Sequence, residues 1–232
     1  MLSDQYDTQN ELFDKWPDRY DEWFQTPVGS LVKHSESALL LDLLRPRPGE
    51  SILDVGCGTG IFTLDILAVG PRIVGLEISG PMLLRARQKA KEYPFDPITG
   101  NMMFLPFGDE VFDKTVSMTA LEFVADAHAA VREMFRVTKK GGTIVVTTLN
   151  SLSPWATRRK QKAEKGHHLF KKMIFRSPDE MRSLTPVNGE VKTAIHFRKG
   201  ESPDRIPEIE IEGQKNNLNT GAFLAARWIK PL

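Results

Sequence analysis

An acid followed by three glycines at alternate positions, Asp54-Val55-Gly56-Cys57-Gly58-Thr59-Gly60, closes an apolar run that begins at Ser51. Such a run reads as a buried strand, and Ile61, Phe62, Leu64, Ile66 and Leu67 beyond it suit the buried face of a helix. A strand, a glycine turn and a helix make a ligand cradle. Glycine lets the backbone bend and approach a ligand with no Cβ in the way, and a helix N-terminus presents free N–H groups. Spacing then selects the ligand. A dinucleotide fingerprint requires glycine at position 61, which is Ile61, and a P-loop requires a Gly-Lys-Ser/Thr ending that is absent. A carboxylate at Asp54 repels a pyrophosphate and accepts a hydrogen bond from an ammonium group.

A second acid, Glu77, stands 23 residues after Asp54, at the end of a strand predicted over residues 72–76. That distance fits one βαβ unit, and a carboxylate there can hold a ribose diol. Ser79, Gly80 and Pro81 then open a helix with an N-cap serine and an early proline. A third strand is predicted over 95–99 and a fourth over 112–117, which ends at Met118, Thr119 and Ala120. A helix end with cations and a glycine stop falls in 131–142, and a fifth strand over 143–148.

With these motifs in this order, residues 45–150 resemble the class I S-adenosylmethionine (SAM) dependent methyltransferases, in the broad small-molecule group that includes ubiquinone biosynthesis enzymes. Their first motif, D-x-G-x-G-x-G, is matched in full from Asp54 to Gly60. Residues 100–107 are similar to the family's G-D-A-x-x-L-P-F, with Asn101 replacing the acid that contacts the adenine amino group. An amide oxygen still accepts that hydrogen bond. Residues 112–117 are similar to F-D-x-V-x-S, and 136–142 to R-V-L-K-P-G-G with Lys140 in the proline's place. The resemblance implies an α/β, Rossmann-like fold: a seven-stranded, mostly parallel sheet with an antiparallel last strand and helices on both faces. It implies SAM as cofactor, held by Asp54, Gly56, Cys57, Gly58, Glu77, Ile78, Asn101, Met102 and Thr119. The family's L-x-H histidine after the fourth strand is Glu122-Phe123 here, so no histidine base is expected at that position.

The flanks carry less familiar patterns. Residues 6–24 gather Tyr6, Phe13, Trp16, Tyr20, Trp23 and Phe24. They read as an amphipathic helix or as a lid over the ligand. Tyr20-Asp21 matches a Tyr-Asp pair that sits beside the cofactor in methyltransferases of this kind, which makes Tyr20 a candidate cofactor contact and a candidate catalytic group. Residues 1–44 are expected to form a helical lid segment, with its second helix over 30–44. Residues 45–232 are expected to form the SAM-binding domain, with an insertion at 150–176. Between 158 and 172 lie seven Lys or Arg with a single acid, Glu164, which reads as a solvated face or as an anion- or membrane-surface patch. His167 and His168, being adjacent, are no metal pair by spacing, and His167 is a candidate general base. Trp23, Trp155 and Arg159 are expected at the acceptor site, as apolar walls and an anion contact. A sixth strand is predicted over 190–198, a long connection over 199–219 with an extended stretch near 209–211, and the last strand over 221–229.

Composition limits the remaining choices. In 232 residues, 41% hydrophobic and 26% charged, a sizeable core can form. A formal net charge of +1 argues against a protein-wide nucleic-acid surface, and the single cysteine excludes an internal disulfide. The polar N-terminus shows neither a signal peptide nor a transmembrane stretch, so a cytoplasmic location is expected, with no metal. The expected function is SAM-dependent methyl transfer to a small molecule, with the nucleophilic atom and the oligomeric state open. The alternatives are a SAM-binding regulatory or partner protein without turnover, and an RNA methyltransferase. Neither an N/D-P-P-Y tetrapeptide nor a Pro-Cys nucleophile occurs, which counts against methylation of DNA bases.

Overall fold

A computed structural model describes residues 13–14 and 17–232 of the chain; Tyr6 and Trp16 lie outside them. Seven strands form one sheet: β1 (Ser51–Val55), β2 (Arg72–Glu77), β3 (Phe95–Thr99), β4 (Phe112–Ser117), β5 (Thr138–Leu149), β6 (Glu190–Ala194) and β7 (Phe223–Ile229). Their order is β3-β2-β1-β4-β5-β7-β6. The pairs among β1 to β5 are parallel, and β7 inserts antiparallel between β5 and β6, as expected. Strand order reverses between β1 and β4, which opens a crevice beyond their carboxyl ends.

The described helices are α1 (Pro17–Gln25), α2 (Pro27–Leu44), α3 (Thr63–Leu67), α4 (Gly80–Lys89), α5 (Ala127–Val137), α6 (Pro154–Glu164), α7 (His168–Lys172), α8 (Pro178–Arg182) and α9 (Ile206–Lys215). Their starts are written locally. Thr26, Ser79, Ser153 and Ser177 each accept a backbone N–H of the helix that follows, with proline in the first turn each time. Alternate strand residues then fill two cores. Ile52, Val116, Val145 and Ala225 pack with Leu40, Leu43 and Leu44 of α2 on one face. Leu53, Ile144, Val146 and Leu224 pack with Val131 and Met134 of α5 on the other. Helix α2 is therefore part of the main core.

Three local expectations need correction. Helix α5 stops at Val137 and not at the glycines, because the Thr138 hydroxyl donates back to the Met134 carbonyl at 2.7 Å while Thr138 already pairs with Phe112 in the sheet. Strand β6 ends at Ala194, four residues early, because Ile195 turns into the left-handed region at φ 64°. Residues 206–215 form α9 in place of an extended stretch. The alternation Ile209-Glu210-Ile211-Glu212 mimics a strand, but the buried positions are Ile206, Glu210 and Gly213, at helical spacing. The Glu210 carboxylate accepts the N–H groups of Ile195 at 2.9 Å and His196 at 2.7 Å, which holds the strained turn.

Candidate functional site

The three glycines of the first motif differ in what surrounds them. All have positive φ: 78° at Gly56, 55° at Gly58 and 75° at Gly60. A Cβ on Gly56 would lie 2.6 Å from the Ala120 Cβ, and one on Gly60 would lie 3.1 Å from Ala86 of α4, so these two are fixed by packing. A Cβ on Gly58 would meet nothing within 4 Å. Gly58 faces open space.

Two acids frame that space. Glu77, at the end of β2, accepts the N–H of Gly58 at 3.0 Å through Oε2, and those of Ile78 and Ser79 at 2.8 and 2.9 Å through Oε1. Burial pushes its carboxyl up, and these three donors oppose the shift. Asp54 is 2% exposed; its Oδ2 accepts the Thr63 hydroxyl at 2.6 Å, while its buried Oδ1 has no hydrogen-bond partner among the described residues. Burial pushes the Asp54 carboxyl up to about 7, with the Thr63 bond opposing. An ammonium group of a ligand would satisfy Oδ1 and favour the ionised form. Burial also pushes the Cys57 thiol up, so Cys57 serves packing and is no thiolate nucleophile.

The loop after β3 completes the cradle. The Asn101 side-chain oxygen accepts the Met103 N–H at 2.8 Å, and the Phe104 N–H bonds the Asn101 carbonyl, which closes a tight turn. Met102 is buried beneath it, 8% exposed. From the other side, Asp21 of α1 accepts the hydroxyl of Thr59 at 2.6 Å and pairs with Lys89 at 2.5 Å. The residue after Tyr20 thus pins α1 to the glycine loop.

A cavity of about 470 Å³ is lined both by this cradle and by residues from distant segments. Asp54, Gly56, Cys57, Gly58, Glu77, Ile78, Asn101, Met102 and Thr119 all line it, as do Tyr20, Trp23, Trp155 and Arg159. Thr119 sits at φ 46°, with its N–H donated to the Thr147 hydroxyl at 2.9 Å and its side chain bonded to Tyr20. Burial pushes the Tyr20 hydroxyl well up, so it is suited to donate a hydrogen bond and not to act as a base. The Trp155 indole donates to the Phe197 carbonyl at 2.7 Å, and the Arg159 guanidinium lies 5.5 Å from the Trp155 ring. His167 is not among the lining residues; its ring stacks on Phe170 with centroids 4.0 Å apart.

Two carboxyl groups that the motifs did not single out as site residues also line the cavity, Glu36 of α2 and Glu122. Glu122 precedes Phe123, which stands where the L-x-H pattern has its histidine, and it lies in a short 3-10 turn (Leu121–Phe123) after β4. Arg176 clamps this turn by donating to the carbonyls of Leu121 at 2.9 Å and Val124 at 3.2 Å. The Thr148 hydroxyl donates to Glu122 at 3.2 Å. Burial pushes Glu122 up to about 7 against its hydrogen bonds and the nearby Arg159 and Arg176. Burial pushes Glu36 up to about 8, with Arg159 opposing and Glu122 adding to the shift. The departure from L-x-H at Glu122-Phe123 was a visible signal. Nothing marked Glu36, which looks like any polar residue in an amphipathic helix.

The residues present fit SAM: an unsatisfied buried carboxylate oxygen, an open approach over Gly58 and an acid at the end of β2. Among the described residues no cluster suits a metal ion, and no helix is long and apolar enough to cross a membrane. Residues 53–146 match the family model described as a methyltransferase domain. A demethylmenaquinone methyltransferase of Symbiobacterium thermophilum is 39% identical over 144 residues, covering 58% of this chain and 56% of the relative. A malonyl-[acyl-carrier protein] O-methyltransferase of Erwinia billingiae is 34% identical over 105 residues, covering 45% of this chain and 41% of the relative. The chain thus spans about half the length of the curated relatives it matches. Among solved structures, a SAM-dependent methyltransferase of Thermotoga maritima, described as a possible histamine N-methyltransferase, superposes with a TM-score of 0.75. It is 25% identical, and the match covers 95% of this chain and 99% of that one. Residues 53–146 thus match a methyltransferase domain, and the strand order and the glycine cradle agree with the class I, SAM-dependent type.

Proposed function

We propose that the chain transfers a methyl group from SAM to a small-molecule acceptor bound in the same cavity. The observation that carries this reading is the continuity of the cavity, whose walls include both the open face of Gly58 and the group of partly buried Tyr20 with buried Glu36 and Glu122. SAM supplies a methyl already activated by its sulfonium charge, so the protein's contribution is alignment and exclusion of water. Asp54 and Glu77 take the hydrogen-bonding ends of the cofactor, and Asn101 and Met102 its ring. Glu122 takes the proton that an N–H or O–H acceptor loses, since an acid with a pKa of about 7 is substantially ionised near neutrality. Glu36, at about 8, keeps its proton there. Trp23 and Trp155 form apolar walls. The names of the curated relatives, acting on demethylmenaquinone and on a malonyl-[acyl-carrier protein], support an acceptor other than a nucleic acid. The cytoplasmic location expected from the sequence belongs to the same reading.

Calorimetric titration with S-adenosylhomocysteine, followed by mass spectrometry of products from SAM and an acceptor panel, tests the proposal. Tight binding together with a product of one added methyl supports it. Binding without turnover of any acceptor would favour the regulatory alternative, and no binding would remove the cofactor assignment.

A further inference from the structure

Besides Arg19 of α1, four cations line the cavity from two segments far apart in sequence: Arg158, Arg159 and Lys162 of α6, and Lys199 beyond β6. Their surroundings differ. Arg159 has its Nη1 buried and is balanced by Glu36 and Glu122. Arg158, Lys162 and Lys199 are exposed and have no side-chain ion pair or hydrogen bond among the described residues. Partial burial pushes the Lys199 ammonium down, and the charges that add to this shift are Lys162, Arg158 and Arg159, with no acid among them. Arg158 and Lys162 also stand four residues apart on one helix, where like charges destabilise. A solvated helix face would space such charges apart or alternate them with acids. Here the fold brings a fourth cation onto the other three, at the edge of a cavity with largely apolar walls that include Trp23, Phe24, Trp155 and Phe170. The repulsion is relieved when an anion arrives.

Resting on the methyl-transfer reading, we propose that the acceptor is an amphiphile whose phosphate-type head group is held by Arg158, Lys162 and Lys199, while its apolar body fills the cavity toward Glu122. Three unpaired cations favour a phosphate over a carboxylate, because a phosphate ester offers more acceptor oxygens and up to two negative charges. Arg159 and the two inner carboxyl groups form a separate, internally balanced set. The head group is therefore read at the cavity edge and the reacting end inside.

Decyl phosphate, decanol and decyltrimethylammonium, each titrated by calorimetry into the protein saturated with S-adenosylhomocysteine, form the test. Decyl phosphate should bind at one site, more weakly at high salt, and about tenfold more tightly than decanol. Lys162→Gln and Lys199→Gln should each weaken decyl phosphate about tenfold and leave decanol and S-adenosylhomocysteine unchanged. Equal affinity for decanol, or a preference for the ammonium, would overturn the proposal; the latter would hand head-group reading to Glu36 and Glu122. So would binding to phosphatidylglycerol vesicles that needs these lysines, without a stoichiometric complex of decyl phosphate, since the cations would then be a membrane-surface patch. Failure of the wild type to bind S-adenosylhomocysteine is a separate result. It would refute the cofactor reading and not the head group.

Discussion

The two halves of the cavity are built by different means. The cradle half is made of backbone: the N–H groups of Gly58, Ile78 and Ser79 turn onto one carboxylate, and a glycine at φ 55° leaves room above itself. All of this lies within 29 residues, from Ser51 to Ser79, plus one loop after β3. The other half is made of side chains from α1, α2, the turn after β4, α6 and the connection after β6. Burial raises the carboxyl groups of both halves, but Glu77 of the cradle is held by three backbone N–H groups, whereas Glu122 receives a single side-chain hydrogen bond, from Thr148, among apolar walls. A backbone site is rigid and general, because any sequence that makes the turn makes the site. A side-chain site changes with every substitution, which suits it to the acceptor role proposed above.

Separate failure of the two halves is the sharpest consequence. Gly58→Val should have the largest effect, since it fills the open face and strains a left-handed residue. Affinity for S-adenosylhomocysteine should fall by more than about a hundredfold, or roughly 2.7 kcal/mol, with the fold retained. Gly60→Ala should instead lower the melting temperature, because its Cβ meets Ala86 at 3.1 Å. Equal loss of affinity in the two variants would erase the distinction between ligand-facing and packing glycines.

Glu122→Gln should come next, reading the other half. Turnover of a confirmed acceptor should fall about a hundredfold, and the acidic limb of the rate profile near pH 7 should vanish, with cofactor affinity unchanged. A parallel fall in S-adenosylhomocysteine binding would place Glu122 in the cradle and break the comparison. A smaller effect is expected at Asn101. Asn101→Leu should weaken S-adenosylhomocysteine about tenfold, through the lost acceptor and the loosened Met103 turn, while Asn101→Asp retains binding.

The smallest effect concerns stability. The Glu36 carboxyl is raised from an ordinary 4.5 to about 8 in the folded chain, so the native state binds more protons than the unfolded one between those values. Stability from this group is therefore full below the lower value and declines as pH rises toward the upper one. Asp54 and Glu122, both raised to about 7, act in the same direction. The melting temperature should fall by several degrees from about pH 5 to about pH 8, and Glu36→Gln should flatten part of that slope. A wild-type profile that rises over this window would contradict the buried, protonated state of Glu36.

What the amino-acid sequence determined by itself was local. The glycine turn, strands β1 to β4 and the helix starts at Ser79 and Ser177 were all readable, because a few neighbouring residues fix φ, capping and alternation. The acid at Glu77 followed from the length of one βαβ unit. Reading failed where a local pattern had two solutions. Ile209 to Glu212 alternate like a strand, and only the Glu210 carboxylate, received by the turn at Ile195 and His196, selects the helix. In the side-chain half, Trp23, Trp155 and Arg159 were expected from the sequence, whereas Glu36, Glu122 and Lys199 were brought in by tertiary structure. Glu36, Glu122 and Arg159 are 123 residues apart at their extremes, and Lys199 is farther still. Their proximity depends on how α2 and α6 pack against the sheet, and the raised carboxyl pKa values arise only once packing removes water.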